Sequence, residues 1–398
     1  MKRTILFIPV YLLLLVFGSC RNVQETSANP NLTRAQETLD SIYSHYGVSG
    51  SDLLCENYPP DNNYVATYLA SEEQANTPNQ YSYLWPFSGT LSAVVSLLET
   101  TGDSQYRELL DNHVLKGLEE YFDCTRTPCG YASYLPKNPA PDRFYDDNVW
   151  LGIDFTDAYQ ITKNTPYLDK ARMIWEFIRS GTDDKLDGGI YWCEQKKDSK
   201  NTCSNAPGSV LALKLFRATN DSVYFKEGKF LYEWTQKNLQ DSTDYLYYDN
   251  INLSGRIGKA KFAYNSGQMI QSAVLLYKLT GNKNYLTDAQ NVAKACYNFF
   301  FNDYTAPTGK QFRLLRKGDV WFIAVMLRGF IELYKADHDY TYLAAFQDNL
   351  DYAWKHSKDE NGLFGTDWSG ETRDNKKWLL TQAAMVEIYA RMAGLKEK

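Results

Sequence analysis

The chain has 398 residues, 44% of them hydrophobic, enough for a large core in one repetitive domain or in two average ones. A net charge of −6, a pI near 5.4 and no block rich in Lys or Arg leave no electrostatic footprint for nucleic acid, which is excluded as a partner. Aromatic residues reach 15%, with 31 Tyr and 9 Trp, which suits a protein that stacks flat apolar faces on a ligand and equally suits aromatic helix packing.

Residues 1–19 read as a secretory signal: Met1-Lys2-Arg3, an apolar run from Ile5 to Phe17, then Gly18-Ser19 before Cys20. This is the pattern of a bacterial lipoprotein, and the run is too short for a comfortable membrane span. Cleavage before Cys20, lipid on its thiol, a place in the cell envelope and no other membrane contact are expected. Residues 20–30 are a polar tether. Six further cysteines remain: Cys55, Cys124, Cys129, Cys193, Cys203 and Cys296. Cys124 with Cys129, and Cys193 with Cys203, can close local loops; buried, reduced thiols are the alternative. No Cys-x-x-Cys pair exists and the four histidines lie far apart, so a zinc site is not expected.

From residue 31 the chain repeats itself. A helix ending in an aliphatic or aromatic pair is followed by a polar turn and a Tyr that opens a second helix. Tyr106, Tyr167, Tyr224, Tyr285 and Tyr342 are separated by 61, 57, 61 and 57 residues. The first helix of each unit is nearly uncharged, as in Trp85 to Leu98, Ser204 to Leu213, Tyr264 to Tyr277, Val320 to Leu327 and Trp378 to Val386. A helix apolar all round must be buried on every side. The second helix is amphipathic, as in Tyr167 to Ile178 and Tyr285 to Phe299, and belongs outside. Asn31 to Tyr46 supplies the missing outer partner. The sequence therefore predicts an all-α fold, an (α/α)6 barrel of six inner and six outer helices, as one domain over residues 31–398 acting as a monomer. No strand-rich stretch is expected.

In such a barrel the loops leading into the inner helices gather on one face. They carry Trp85, Asp146-Asp147, Asn205, Tyr264-Asn265, Asp319 and Trp368, the carboxylates, amides and aromatics that grip polyols. Tyr145-Asp146-Asp147-Asn148-Val149-Trp150 stands out, because its acids meet a helix committed to burial by Val149, Trp150, Leu151, Ile153 and Phe155. Glycoside hydrolysis needs a proton-donating carboxyl and a second carboxylate, about 5–5.5 Å apart in retaining enzymes and roughly 6.5–9.5 Å in inverting ones. Neighbouring Cα atoms are about 3.8 Å apart, so adjacency leans towards retention. Like charges this close cannot easily both ionise, and the pair supplies an acid and an anion together.

The rival is Asp183-Asp184-Lys185-Leu186-Asp187, which reads as a solvated loop or a weak calcium site. In Gly188-Gly189-Ile190-Tyr191-Trp192 the glycines permit close backbone approach, and Tyr191 and Trp192 can floor a sugar subsite or simply pack. Asp154, two turns below Asp147, is expected to bond inside the bundle.

These motifs, with Ser204-Asn205-Ala206 and Tyr264-Asn265-Ser266-Gly267, resemble glycoside hydrolase family 76, the bacterial endo-α-1,6-mannanases and their fungal cell-wall relatives. The resemblance implies an (α/α)6 barrel, retaining cleavage of α-1,6-mannan without a metal, Asp146 as nucleophile and Asp147 as general acid/base. Substrate contacts are expected from Trp85, Asn148, Tyr191, Trp192, Asn205, Tyr264, Asn265, Asp319 and Trp368, with capping of the fifth inner helix the alternative for Asp319 and a surface turn that for Trp368. Asp319-Val320-Trp321-Phe322 departs from the more basic, glycine-containing stretch usual in relatives, which bears on subsite preference. Transglycosylation through the same intermediate and a catalytically silent glycan-binding protein are the alternatives. An epimerase, which leans on cleft histidines, fits less well.

Overall fold

A computed structural model describes residues 29–61, 63–70, 79–136 and 140–395. Cys20, its expected lipid and the signal segment lie outside the described residues. The described residues form twelve helices. The inner ones are α2 (Leu84–Thr101), α4 (Tyr145–Thr162), α6 (Thr202–Thr219), α8 (Ala263–Thr280), α10 (Val320–Asp337) and α12 (Leu379–Ala393). The outer ones are α1 (Pro30–Tyr46), α3 (Ser104–Leu109, a π-helical turn Leu110–Val114, then Leu115–Glu119), α5 (Thr165–Arg179), α7 (Ser222–Leu239), α9 (Lys283–Phe300) and α11 (Thr341–His356).

Each inner helix packs on the next, and α12 packs back on α2, so the ring closes as a barrel. Burial follows the charge pattern. The inner helices are buried almost all round, whereas α5 and α9 bury one stripe only. Gly267 on α8 and Gly329 on α10 face each other's backbone, and any Cβ there would strike it; these helices meet at their closest because both residues lack a side chain.

The repeat has a local cause. Five inner helices end on a left-handed residue, Gly102, Lys163, Asn220, Gly281 or His338, whose N–H bonds back to the last turn. Each lies four residues before a repeat Tyr. The next helix starts on an Asx cap in several units: the carboxylates of Asp103 and Asp221 and the amide oxygen of Asn282 accept backbone N–H bonds.

Short strands of two to five residues decorate the ring without interrupting the helical repeat. β1 (Asn57–Tyr58) pairs with β9 (Lys377–Trp378), and β2 (Phe122–Asp123) with β3 (Gly130–Tyr131). β4 (Ser199–Asn201), β5 (Tyr248–Asn252) and β6 (Ile257–Lys261) form a three-stranded sheet, and β7 (Phe301–Thr305) pairs with β8 (Gln311–Leu315). The β5–β6 turn is built by Asn252, whose side chain accepts from Ser254 and Arg256, and by Gly255 at φ 81°. A disulfide joins Cys124 to Cys129 across the β2–β3 turn. Cys193 and Cys203 are separate buried thiols, so that second loop closure does not form.

Two asparagines expected to touch sugar serve the scaffold. The Asn148 amide accepts from the Tyr131 N–H (2.8 Å) and donates to the Tyr131 and Phe144 carbonyls (2.9 and 2.8 Å). Asn205 grips Ile190 and Asn201 in the same way (2.7, 2.9 and 2.8 Å), and Gln382 on α12 grips Phe364 and Trp378. Each sits four residues past its helix N-cap and ties the preceding loop to that helix. Both asparagines are fully buried. Asn205→Ala leaves an N–H and two carbonyls unpaired in the interior. It is expected to lower stability by about 2–3 kcal/mol, read as a shift in denaturation midpoint without change in slope.

Candidate active site

Five of the six inner helices, α2, α4, α6, α8 and α10, bring their N-terminal ends to a cleft of about 490 Å³. It is lined by Trp85 from α2, Asp146, Asp147 and Trp150 from α4, Cys203 from α6, Tyr264 from α8 and Phe322 from α10. Two kinds of wall face each other. Tyr264 stacks on Phe322 (ring centroids 4.0 Å, 5°), and Phe322 on Trp85 (6.1 Å, 21°). The other wall is polar, with Asp198, Ser199 and Asn201 around β4 and Asp249 and Asn250 from β5. Aromatic faces match the C–H faces of a sugar ring, and amides and carboxylates match its hydroxyls.

Asp146 and Asp147 occupy the first turn of α4, whose cap Phe144 makes no side-chain bond. The loop before them is fixed by Arg143, which is fully buried. It makes paired bonds to Glu194 (2.8 and 2.5 Å), donates to the Pro128 carbonyl, and stacks over Phe177 (4.8 Å). Bridging of Phe144 to Cys193, and the Tyr145 N–H bond to the Trp192 carbonyl (2.9 Å), bring Trp192 alongside. Its indole N–H then donates to Asp146 Oδ2 at 3.1 Å.

The two acids have unequal surroundings. Asp146 is half-buried, and burial raises its pKa to about 6 against the pull of hydrogen bonds from Cys203, Trp192 and the helix N-terminus. Asp147 is 8% exposed and has no such donors; burial and then repulsion from Asp146 hold its pKa well above the usual carboxylate range. The arrangement keeps a proton on the deeper acid while the outer one can ionise.

Of the residues expected to contact substrate, Trp85, Trp192 and Tyr264 line the cleft with the acid pair. Asn148 and Asn205 are scaffold ties. Tyr191 is 1% exposed, and its hydroxyl bonds Asp183 (2.7 Å). Trp368 is 1% exposed in the core cluster. Asn265 is buried with neither amide atom paired, and like these it is not a lining residue. Asp319 caps α10 by accepting the Trp321 N–H (2.9 Å), and burial pushes its pKa up to about 7. Gly188 and Gly189 make room for Phe230 and Trp234 rather than for ligand. Asp183 is bound by Lys200 (2.7 Å), so the rival acidic loop is structural. Among the described residues no group of three or more His, Cys, Asp or Glu is placed to hold a metal ion. Sequence reasoning missed Tyr68 and the polar β4–β5 wall; the Asn-Leu-Ser-Gly turn at 252–255 was the available hairpin signal.

A helical barrel carrying paired acids in an aromatic cleft defines a glycoside-hydrolase scaffold. Residues 61–394 match glycosyl hydrolase family 76, and the chain belongs to that family. It is similar to a family 76 mannosidase of Bacteroides thetaiotaomicron, 32% identical over 92% of this chain and 98% of that one (TM-score 0.82). A Salegentibacter α-1,6-mannanase, solved as an inactive variant with α-1,6-mannotriose, shares the fold at 24% identity over 91% of this chain and 99% of that one (TM-score 0.71). A mannan endo-1,6-α-mannosidase of Candida glabrata is 22% identical over 292 residues, 66% of this chain and 63% of that protein. The chain spans 56% and 63% of the lengths of two curated yeast relatives it matches.

The Asp147 proton has a stability consequence. Folding raises this pKa above the ordinary aspartate value of 3.8, so the folded state holds a proton that the unfolded chain releases. That contribution is full below the unfolded pKa and is lost as pH rises towards the folded one. Asp147→Asn removes the loss, so its Tm is expected to exceed that of wild type at about pH 7, with the gap closing towards about pH 4. An equal gap at both pH values contradicts the assignment.

Proposed function

We propose that the chain is a retaining, endo-acting glycoside hydrolase that cleaves α-1,6-mannosidic bonds. The observation that carries this reading is the unequal pair at the head of α4. Asp146, gripped by the Trp192 indole and the helix N-terminus, is the anion that attacks the anomeric carbon. Asp147, protonated by burial beside that charge, gives its proton to the departing glycosidic oxygen. A mannosyl ester on Asp146 results. Asp147, now a carboxylate, takes a proton from water as the water oxygen attacks the same carbon, and Asp146 leaves as the anion. Two displacements at one carbon retain its configuration. The mannan substrate is supported by family membership and by the activities named for the mannosidase and mannanase relatives. Attachment to the cell envelope through lipid on Cys20, with the protein acting as a monomer, completes the reading.

Unbranched α-1,6-mannotetraose, followed by proton NMR, tests it. The first hydrolysis product is expected as the α-anomer, with kcat/KM falling as pH drops through about 6 and Asp146 takes up a proton. Asp146→Asn and Asp147→Asn should each lose turnover by roughly a thousandfold or more while retaining the oligosaccharide. A first-formed β-anomer overturns retention, products longer than the substrate assign the chain to transfer, and binding without turnover by wild type assigns it to glycan capture.

A further inference from the structure

One side of the cleft is lined from a stretch that is neither helix nor strand. Tyr68 lies in the turn-and-coil stretch between β1 and α2, yet lines the cleft beside Trp85. Its ring is boxed edge-on by Trp85 (5.2 Å, 83°) and Tyr83 (5.9 Å, 90°), and packs on Trp378 (5.6 Å). Trp378, the N-cap of α12, in turn meets Trp85 edge-on (5.3 Å, 85°).

Beneath these rings is Glu56, a carboxylate only 5% exposed and bound by neutral donors. Its Oε1 accepts from the Tyr68 hydroxyl (2.6 Å) and the Trp378 indole N–H (2.7 Å), and its Oε2 accepts from the Tyr83 N–H (2.8 Å). Three donors on three different stretches of chain therefore converge on one buried group. Burying a carboxylate is costly unless it is hydrogen-bonded, and these donors supply that compensation. Plain stability has cheaper solutions, since the β1–β9 pairing and the Leu379 N–H bond to the Glu56 carbonyl already hold this corner together. What the side chain adds is the fixed attitude of two aromatic rings, one lining the cleft and one backing Trp85. Glu56 sits where α12 meets α2, across the ring from α6 and the polar β4 wall.

We propose that Glu56 is a positioning residue: it clamps Tyr68 and the Trp378 ring that backs Trp85, so that Tyr68 and Trp85 form a sugar-binding wall for a mannose unit beyond the cleaved bond. This rests on the functional reading above and adds to it a determinant of affinity for longer chains. The clamp touches neither acid, so it acts on binding and leaves the chemical step to Asp146 and Asp147.

Glu56→Gln keeps the size of the side chain but turns one acceptor into a donor against the converging N–H and O–H groups. Tyr68→Phe keeps the ring and removes its tie to Glu56. Each is expected to raise KM for α-1,6-mannotetraose about tenfold with kcat within about twofold, and to change KM for α-1,6-mannobiose little. Tm is measured alongside. An active wild type with unchanged KM in both variants overturns the clamp while leaving the functional reading intact. A joint fall of kcat and Tm in both variants, without a selective rise in KM, also overturns it in favour of a structural role. Wild-type protein that neither binds nor cleaves these oligosaccharides overturns both.

Discussion

Closing six helical hairpins into a ring obliges all six inner helices to point the same way, and the site follows from that constraint. Their N-termini meet at the cleft, so free N–H groups and the positive ends of the helix dipoles surround whatever binds there. Their C-terminal halves meet at the far end, where Lys214, Arg217, Lys278, Lys335 and Arg391 line a second pocket, in part paired with Asp157, Glu332 and Glu99. Those cations face the negative helix ends and need no ligand to account for them. The acids of α4 stand in the first turn, the favourable end for an anion, but burial outweighs the dipole, and both pKa values are raised. The outcome is an acid–anion pair, not a pair of anions.

The interior tolerates charge where the ring needs it. Asp154 accepts from the Ser92 hydroxyl and faces Arg328, which makes paired bonds to Glu387 (2.6 and 2.9 Å), itself bound by Arg391. This network links α2, α4, α10 and α12 within the barrel, as expected for Asp154 from its place two turns below the acids. Removing one member would strand the others, which is the usual reason such clusters persist. The acid pair differs, because the hydrogen bonds to Asp146 offset only part of its burial and Asp147 has none to offset its own, so both pKa values stay raised.

The barrel was legible because its signals are local and recur. Uncharged helices alternate with amphipathic ones, and each repeat Tyr follows a left-handed cap by four residues. The acid pair was legible because two adjacent carboxylates met an apolar helix. The roles of Asn148 and Asn205 were hidden, since an amide at the entry to an inner helix reads as a sugar ligand. Only the fold shows that both are spent on the backbone of Tyr131 and Ile190. Tyr191 and Trp192 are adjacent on an extended stretch and point to opposite sides, so one could reach Asp146 and the other had to pack. Tyr68 and Glu56 lie in a stretch without periodicity, and nothing local announces that residues 322 positions apart, Glu56 and Trp378, share a bond.

The division of labour between the acids is tested most directly by azide rescue with 2,4-dinitrophenyl α-1,6-mannobioside, whose leaving group needs no proton. In Asp147→Ala the ester on Asp146 should still form and azide should intercept it, giving the α-mannosyl azide. In Asp146→Ala azide should take the place of the missing nucleophile and give the β-azide. Exchange of these two products between the variants would contradict the account, as would β-azide from both.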